Sequence, residues 1–151
     1  MKVEIDQSNR VEETQKDTII ALSNNIEYTI CIRAQTKREL LKILRRKEGS
    51  DKLIYINLFV AALVILLRQY RDDIKSIIID IEYPGKELYI ESRLKRLLVE
   101  ENFKSSLQIV FKSIGKQSPA HYAAWSVHKK LRKPNWIAKS QELLRIISRL
   151  Q

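Results

Sequence analysis

A chain of 151 residues that is 44% hydrophobic and 30% charged, with only 3 Gly and 3 Pro, can bury a sizeable core and is excluded from the disordered, collagenous and low-complexity classes. Its 28 Lys and Arg outnumber 18 Asp and Glu for a net charge of +10, which attracts polyanions, nucleic acid first among them. Cys31 is the only cysteine, so an internal disulfide and a thiolate zinc cluster are ruled out; it reads as a buried strand residue in a reducing compartment.

From Met1 to Ile32 the pattern is strand-like, with three segments separated by polar turns. "KVEID" sets Val3 and Ile5 on one face and Glu4 and Asp6 on the other. "DTIIALS" and "EYTICIR" follow, joined by Asn24 and Asn25, a hairpin signal because Asn tolerates left-handed backbone. The expectation is an antiparallel meander. The period then becomes helical in "TKRELLKILRRKEG", with Thr36 as N-cap, Glu39 completing a capping box, Gly49 as stop and Leu40, Leu41 and Leu44 as the apolar stripe. A second helix, about Lys52 to Tyr70, is apolar nearly all round and should lie between the sheet and other helices. Its run "LFVAALVILL" is too short to span a bilayer and falls mid-chain, and "MKVEIDQSNR" has no apolar leader. These features predict a cytoplasmic protein with no membrane partner.

"SIIIDIEYPG" reads as a central strand ending at Pro84-Gly85, and "KELYIESRLKRLLVEE" as an amphipathic helix turning Leu88, Ile90, Leu94, Leu97 and Leu98 inward. The next strand, "SLQIVFKSIG" from Ser106 to Gly115, should pair in parallel through a right-handed crossover. Next comes "SPAHYAAWSVHKKLR", a helix with Ser118 as N-cap and Pro119 at its first position. After a break at Pro134, "KSQELLRIISRL" forms a short terminal helix. The fold class is therefore α/β in one domain, 1–151: a five-stranded mixed sheet, three strands antiparallel and then two parallel, flanked by helices.

Asp80 and Glu82 lie among Ile77, Ile78, Ile79 and Ile81, where a carboxylate is costly unless a strand end places it beside a cation, a helix N-terminus or an arginine. Asp6 has two readings, a metal ligand or the residue closing an Asx-turn at "DQSN". Glu82 beside its turn and His121 in the first helical turn likewise admit a purely local role. His128 is about 10 Å from His121 by helix rise, too far to share one ion. Phosphodiester hydrolysis needs an activated water and neutralised oxygens, which two Mg2+ ions about 4 Å apart supply, and Mg2+ prefers carboxylate and water ligands.

This order of elements, with an acid on the first strand, an acid on the fourth and a polar residue on the helix after the fifth, resembles the RNase H-like superfamily of nucleases, integrases and Holliday-junction resolvases, over roughly Met1 to Leu131. The resemblance implies that Asp6 bridges divalent cations, that Asp80 or Glu82 is the fourth-strand acid, and that His121 is the contribution of the last helix. Such a set is more similar to resolvases and Argonaute-type slicers than to cellular RNase H. It departs in one respect: RNase H proper takes a Glu from its first helix, and "LIYINLFVAALVILLRQY" has none, so Glu82 replaces it or the site is incomplete.

Basic residues cluster in "TKRELLKILRRK", in "SRLKR" and in "HKKLRKPNW". Such runs are usually solvated helix faces. The third, with Lys129, Lys130, Arg132 and Lys133, follows the site helix and ends in Trp136, an aromatic able to stack on a base. Lys112 and Lys116 flank the end of the fifth strand, where ligands collect in open α/β sheets. "GKQS" lacks the upstream glycine of a P-loop. The expected function is a Mg2+- or Mn2+-dependent nuclease, with Asp6, Asp80 and Glu82 as metal ligands and catalytic groups and His121 assisting. It would act on DNA or RNA, as a homodimer if it is a resolvase. The alternative is a non-catalytic module that binds nucleic acid or protein.

Overall fold

The structure is a computed structural model describing residues 1–47 and 50–150; Gly49, the expected stop of the first helix, lies outside them. Strands β1 (Lys2–Ser8), β2 (Thr18–Asn24) and β3 (Ile26–Ile32) form the expected antiparallel meander. Asn24 and Asn25, at φ 132° and 67°, make the turn between the last two, a conformation that Asn accepts more readily than most side chains. The other edge of β1 pairs in parallel with β4 (Ser76–Ile79), and β4 pairs in parallel with β5 (Gln108–Phe111).

Among the described residues the sheet has six strands rather than five, because β6 (Trp136–Ile137) adds in parallel to β3 and gives the order β5-β4-β1-β2-β3-β6. Two residues carry no readable alternation, so nothing in the pattern announces β6. Asn135 fixes it: its Oδ1 accepts from the Thr29 backbone N–H at 2.8 Å, and its own N–H donates to the Thr29 carbonyl at 3.0 Å.

The helices are α1 (Ala34–Leu44), α2 (Asp51–Leu67), α3 (Glu87–Glu100), α4 (Pro119–His128) and α5 (Ser140–Ser148). Helix α1 starts two residues before Thr36, with Arg33 in the N-cap position. Asp17 at the head of β2 supplies the missing cap, its Oδ1 accepting from the Ala34 N–H at 2.8 Å. Leu88 is also corrected: it is 81% exposed. Ile90, Leu94, Leu97 and Leu98 define the buried stripe of α3, and Leu88, two residues from Ile90, points about 200° away from it. Finally, the isoleucine-rich strand is shorter than expected and ends at Ile79, so Ile81 is exposed and Glu82 lies off the ladder. The next strand is likewise trimmed, from Ser106–Gly115 to Gln108–Phe111.

Helix α2, extended by the 3-10 turn Arg68–Tyr70, has the length and composition of a membrane span, but Leu58 to Leu67 are buried between the sheet and helices α1, α3 and α5. Among the described residues, helix α4 is the one helix that covers the opposite face. Ile19, Ala21 and Cys31 of the sheet meet its Ala123, Ala124 and Val127, and the alanines allow close approach of the helix to β1 and β2. Strand alternation thus divides β1 between two layers: Val3 and Ile5 enter the main core, while Glu4 and Asp6 face α4.

Candidate metal centre

Asp6 is fixed by β1, and Asp80 follows the last residue of β4, on the neighbouring parallel strand. The Asp80 N–H still donates to the Ile5 carbonyl at 3.1 Å, so the ladder holds the two acids side by side. Glu82 follows two residues later. One oxygen from each of Asp6, Asp80 and Glu82 lies within 4.8 Å of the other two. Asp6 is buried and the other two are half-buried.

Each carboxylate is also oriented by protein donors. Asp6 Oδ1 accepts from the Gln7 N–H at 2.8 Å, and its Oδ2 is 2.8 Å from His121 Nδ1. Asp80 Oδ1 accepts from the Ile114 N–H at 2.8 Å, beyond the end of β5. Glu82 Oε2 accepts from Arg10 Nε at 3.2 Å. The first turn of α4 is itself anchored: Ser118 Oγ accepts from the Ala120 N–H at 3.2 Å and donates to Glu4 Oε1 at 3.1 Å.

Three negative charges at this spacing repel one another by roughly 3.5 kcal/mol per pair at an effective dielectric constant of about 20. The protein absorbs that cost partly by protonation. Burial pushes the Asp6 carboxyl above its usual range, against the pull of the His121 and Gln7 hydrogen bonds, and the Asp80 charge adds to the rise. Glu82 is pushed up to about 7, first by burial, then by the hydrogen bond and charge of Asp80 and the charge of Asp6, with Arg10 opposing. Bringing a divalent cation among the three would remove the repulsion.

The donor set fits a hard cation of the Mg2+ or Mn2+ kind, because every converging atom is a carboxylate oxygen. His121 stands outside the three-acid group, bonded to Asp6 through Nδ1, in the position of a residue that orients a ligand rather than supplying one. His128 is elsewhere, its Nδ1 3.0 Å from Asn9 Nδ2. Sequence reasoning missed Arg10 and the Ile114 N–H, which no local pattern announces. It also missed the Glu4–Ser118 link, although Glu4 shares a strand face with Asp6.

The expected nucleic-acid-binding residues are dispersed. Lys112 and Lys116 are exposed between β5 and α4. Lys130, Arg132 and Lys133 line a groove of about 600 Å³ beside Ile19 and Cys31, and Lys129 is exposed at the end of α4. Arg132 pairs with Glu27. Trp136 lies in β6, with Nε1 donating to Glu142 at 2.7 Å. Comparison with known proteins finds no family model, curated protein or solved structure that matches this chain.

Proposed function

We propose that the protein is a metal-dependent nuclease of RNase H-like type that hydrolyses nucleic acid phosphodiester bonds with Mg2+ or Mn2+. The observation that carries this reading is the convergence of Asp6 on β1 with Asp80 and Glu82, in the segment that leaves the adjacent strand β4, within 4.8 Å of one another, beside a helix that delivers His121. The sheet order is compatible with that fold, and the net charge of +10 suits a polyanionic substrate.

When bound, the metal supplies Lewis-acid stabilisation of the phosphoryl oxygens and a water acidic enough to attack near neutral pH. The chain's own groups set the stage for it. Asp6, Asp80 and Glu82 would hold the cation, His121 fixes the Asp6 carboxylate, Arg10 neutralises part of the Glu82 charge, and Lys112 and Lys116 attract the phosphate backbone.

Calorimetric titration of the full chain with Mn2+, paired with cleavage assays on single- and double-stranded DNA and RNA, tests the reading. Saturable Mn2+ binding and Mn2+-dependent cleavage are expected, both lost in Asp80→Asn with the thermal transition retained. A folded wild type that binds no Mn2+ refutes it. The second reading, a non-catalytic nucleic-acid- or protein-binding module, is favoured by one observation: each acid already has a protein donor. In that case Asp80→Asn destabilises the fold and Mn2+ does nothing.

A further inference from the structure

Helix α4 brings His121 to the acids and also carries two large aromatic rings into solvent. Tyr122 is 58% exposed and Trp125 is 39% exposed. Their ring centroids are 5.9 Å apart with planes tilted by 32°. Trp125 is four residues past His121, so the two lie one turn apart on nearly the same stripe, and Tyr122 is the immediate neighbour of His121. The rings are therefore carried by the same helical turns as the residue that meets the acidic cluster.

Cations frame these rings. The Arg132 guanidinium, which also pairs with Glu27, lies 5.7 Å from the Tyr122 ring centroid, and Lys129, four residues beyond Trp125, is exposed at the helix end. A protein partner is expected to meet a ring patch with apolar and hydrogen-bonding groups. A patch bounded by positive charge instead suits a chain that alternates flat apolar groups with negative ones, which is the chemistry of an unpaired nucleic acid strand.

We propose that Tyr122 and Trp125 form a stacking platform for unpaired bases, so that the preferred ligand is a single-stranded or locally opened segment of DNA or RNA. The placement of this segment next to a cleavage site rests on the nuclease reading above; the platform itself does not. In a duplex the base faces are covered by their neighbours, and only an unstacked base can offer one to a side chain.

The test uses the full chain with Trp136→Phe, which leaves Trp125 as the only tryptophan. Titration with oligo-dT and oligo-U, and with a duplex of equal length, should quench Trp125 emission for the single strands alone. In fluorescence anisotropy, Tyr122→Ala with Trp125→Ala should bind single strands about ten-fold more weakly, Trp125→Phe should restore part of the loss, and Mn2+ binding should be unchanged. Equal binding of single strands by wild type and double variant overturns the proposal. So does duplex preference, or a change in sedimentation without a change in oligonucleotide binding, which would mark the rings as a protein interface. Ring-dependent binding of single strands by a protein that takes up no Mn2+ upholds the platform and refutes the nuclease.

Discussion

Glu82 lies between the Arg10 guanidinium and two other carboxylates, and its carboxyl is pushed up to about 7. With an unfolded value near 4.5, the folded chain retains a proton between those limits that the unfolded chain has lost. The folded state then binds more protons, and in metal-free protein this residue's contribution to stability declines as pH rises from about 4.5 to about 7. Glu82→Gln removes the titration and keeps a donor towards Asp80. Urea unfolding in chelator should find the variant less pH-dependent over that window and more stable at pH 7, by up to about 3 kcal/mol; parallel curves would refute the assignment. Lys37 provides the opposite sign. It is buried, its Nζ donating to the Glu13 carbonyl at 2.6 Å and to Thr18 Oγ1 at 2.8 Å, and burial pushes it down to about 8. Above that value the folded chain sheds a proton that the unfolded chain keeps. Wild type should therefore gain stability relative to Lys37→Met as pH rises from about 8 towards 10, by at most about 1.4 kcal/mol per pH unit, measured as the difference between two urea series.

One hydroxyl serves both the start of helix α4 and its alignment with β1, since Ser118 caps the helix and holds Glu4, beside the His121–Asp6 bond. Ser118→Ala should cost about 0.5 to 2 kcal/mol in thermal or urea unfolding, and should weaken Mn2+ binding several-fold by loosening the turn that presents His121 to Asp6. Unchanged metal affinity at reduced stability would confine Ser118 to capping. This helix was legible in the sequence, because Ser118-Pro119 is a start signal that acts within its own turn. The meander was legible for the same reason: alternation and Asn24-Asn25 are local. Features depending on distant chain were not. The cap of α1 comes from Asp17, seventeen residues before Ala34, so Thr36 was the best local candidate and the wrong one. Strand β6 consists of two residues held by Asn135 against Thr29, and the exit of the chain from β4 at Ile79 cannot be read from a run of isoleucines. For the acids, residue type and strand position were readable, but their meeting point depended on β1 lying beside β4, which came from the resemblance rather than from spacing.

At the scale of the molecule, the +10 charge and the acidic cluster act in opposition on the same ligand. The basic surface draws a phosphate chain from a distance, while three carboxylates at one spot repel the phosphate that would have to sit there. The two effects separate by their response to ions. Monovalent salt weakens the first by screening and counterion release, with a slope of about 0.7 per neutralised phosphate on single strands. Replacing Lys130 and Lys133, which line the groove beside Cys31, with Gln should therefore lower the slope of log affinity against log salt by about 1.4 if both contact phosphates. A divalent cation acts on the second. Ca2+, a hard cation that oxygen ligands also accept, should tighten oligonucleotide binding by wild type at fixed ionic strength, beyond the loss expected from screening. Asp80→Asn removes one of the repelling charges and one of the ligands together. It should bind more tightly than wild type without metal and respond to Ca2+ only by screening. Anisotropy titrations of both proteins, with and without Ca2+, decide the matter. If Ca2+ weakens binding equally in wild type and variant, no cation joins the phosphate at these acids, and the acidic cluster contributes nothing to binding.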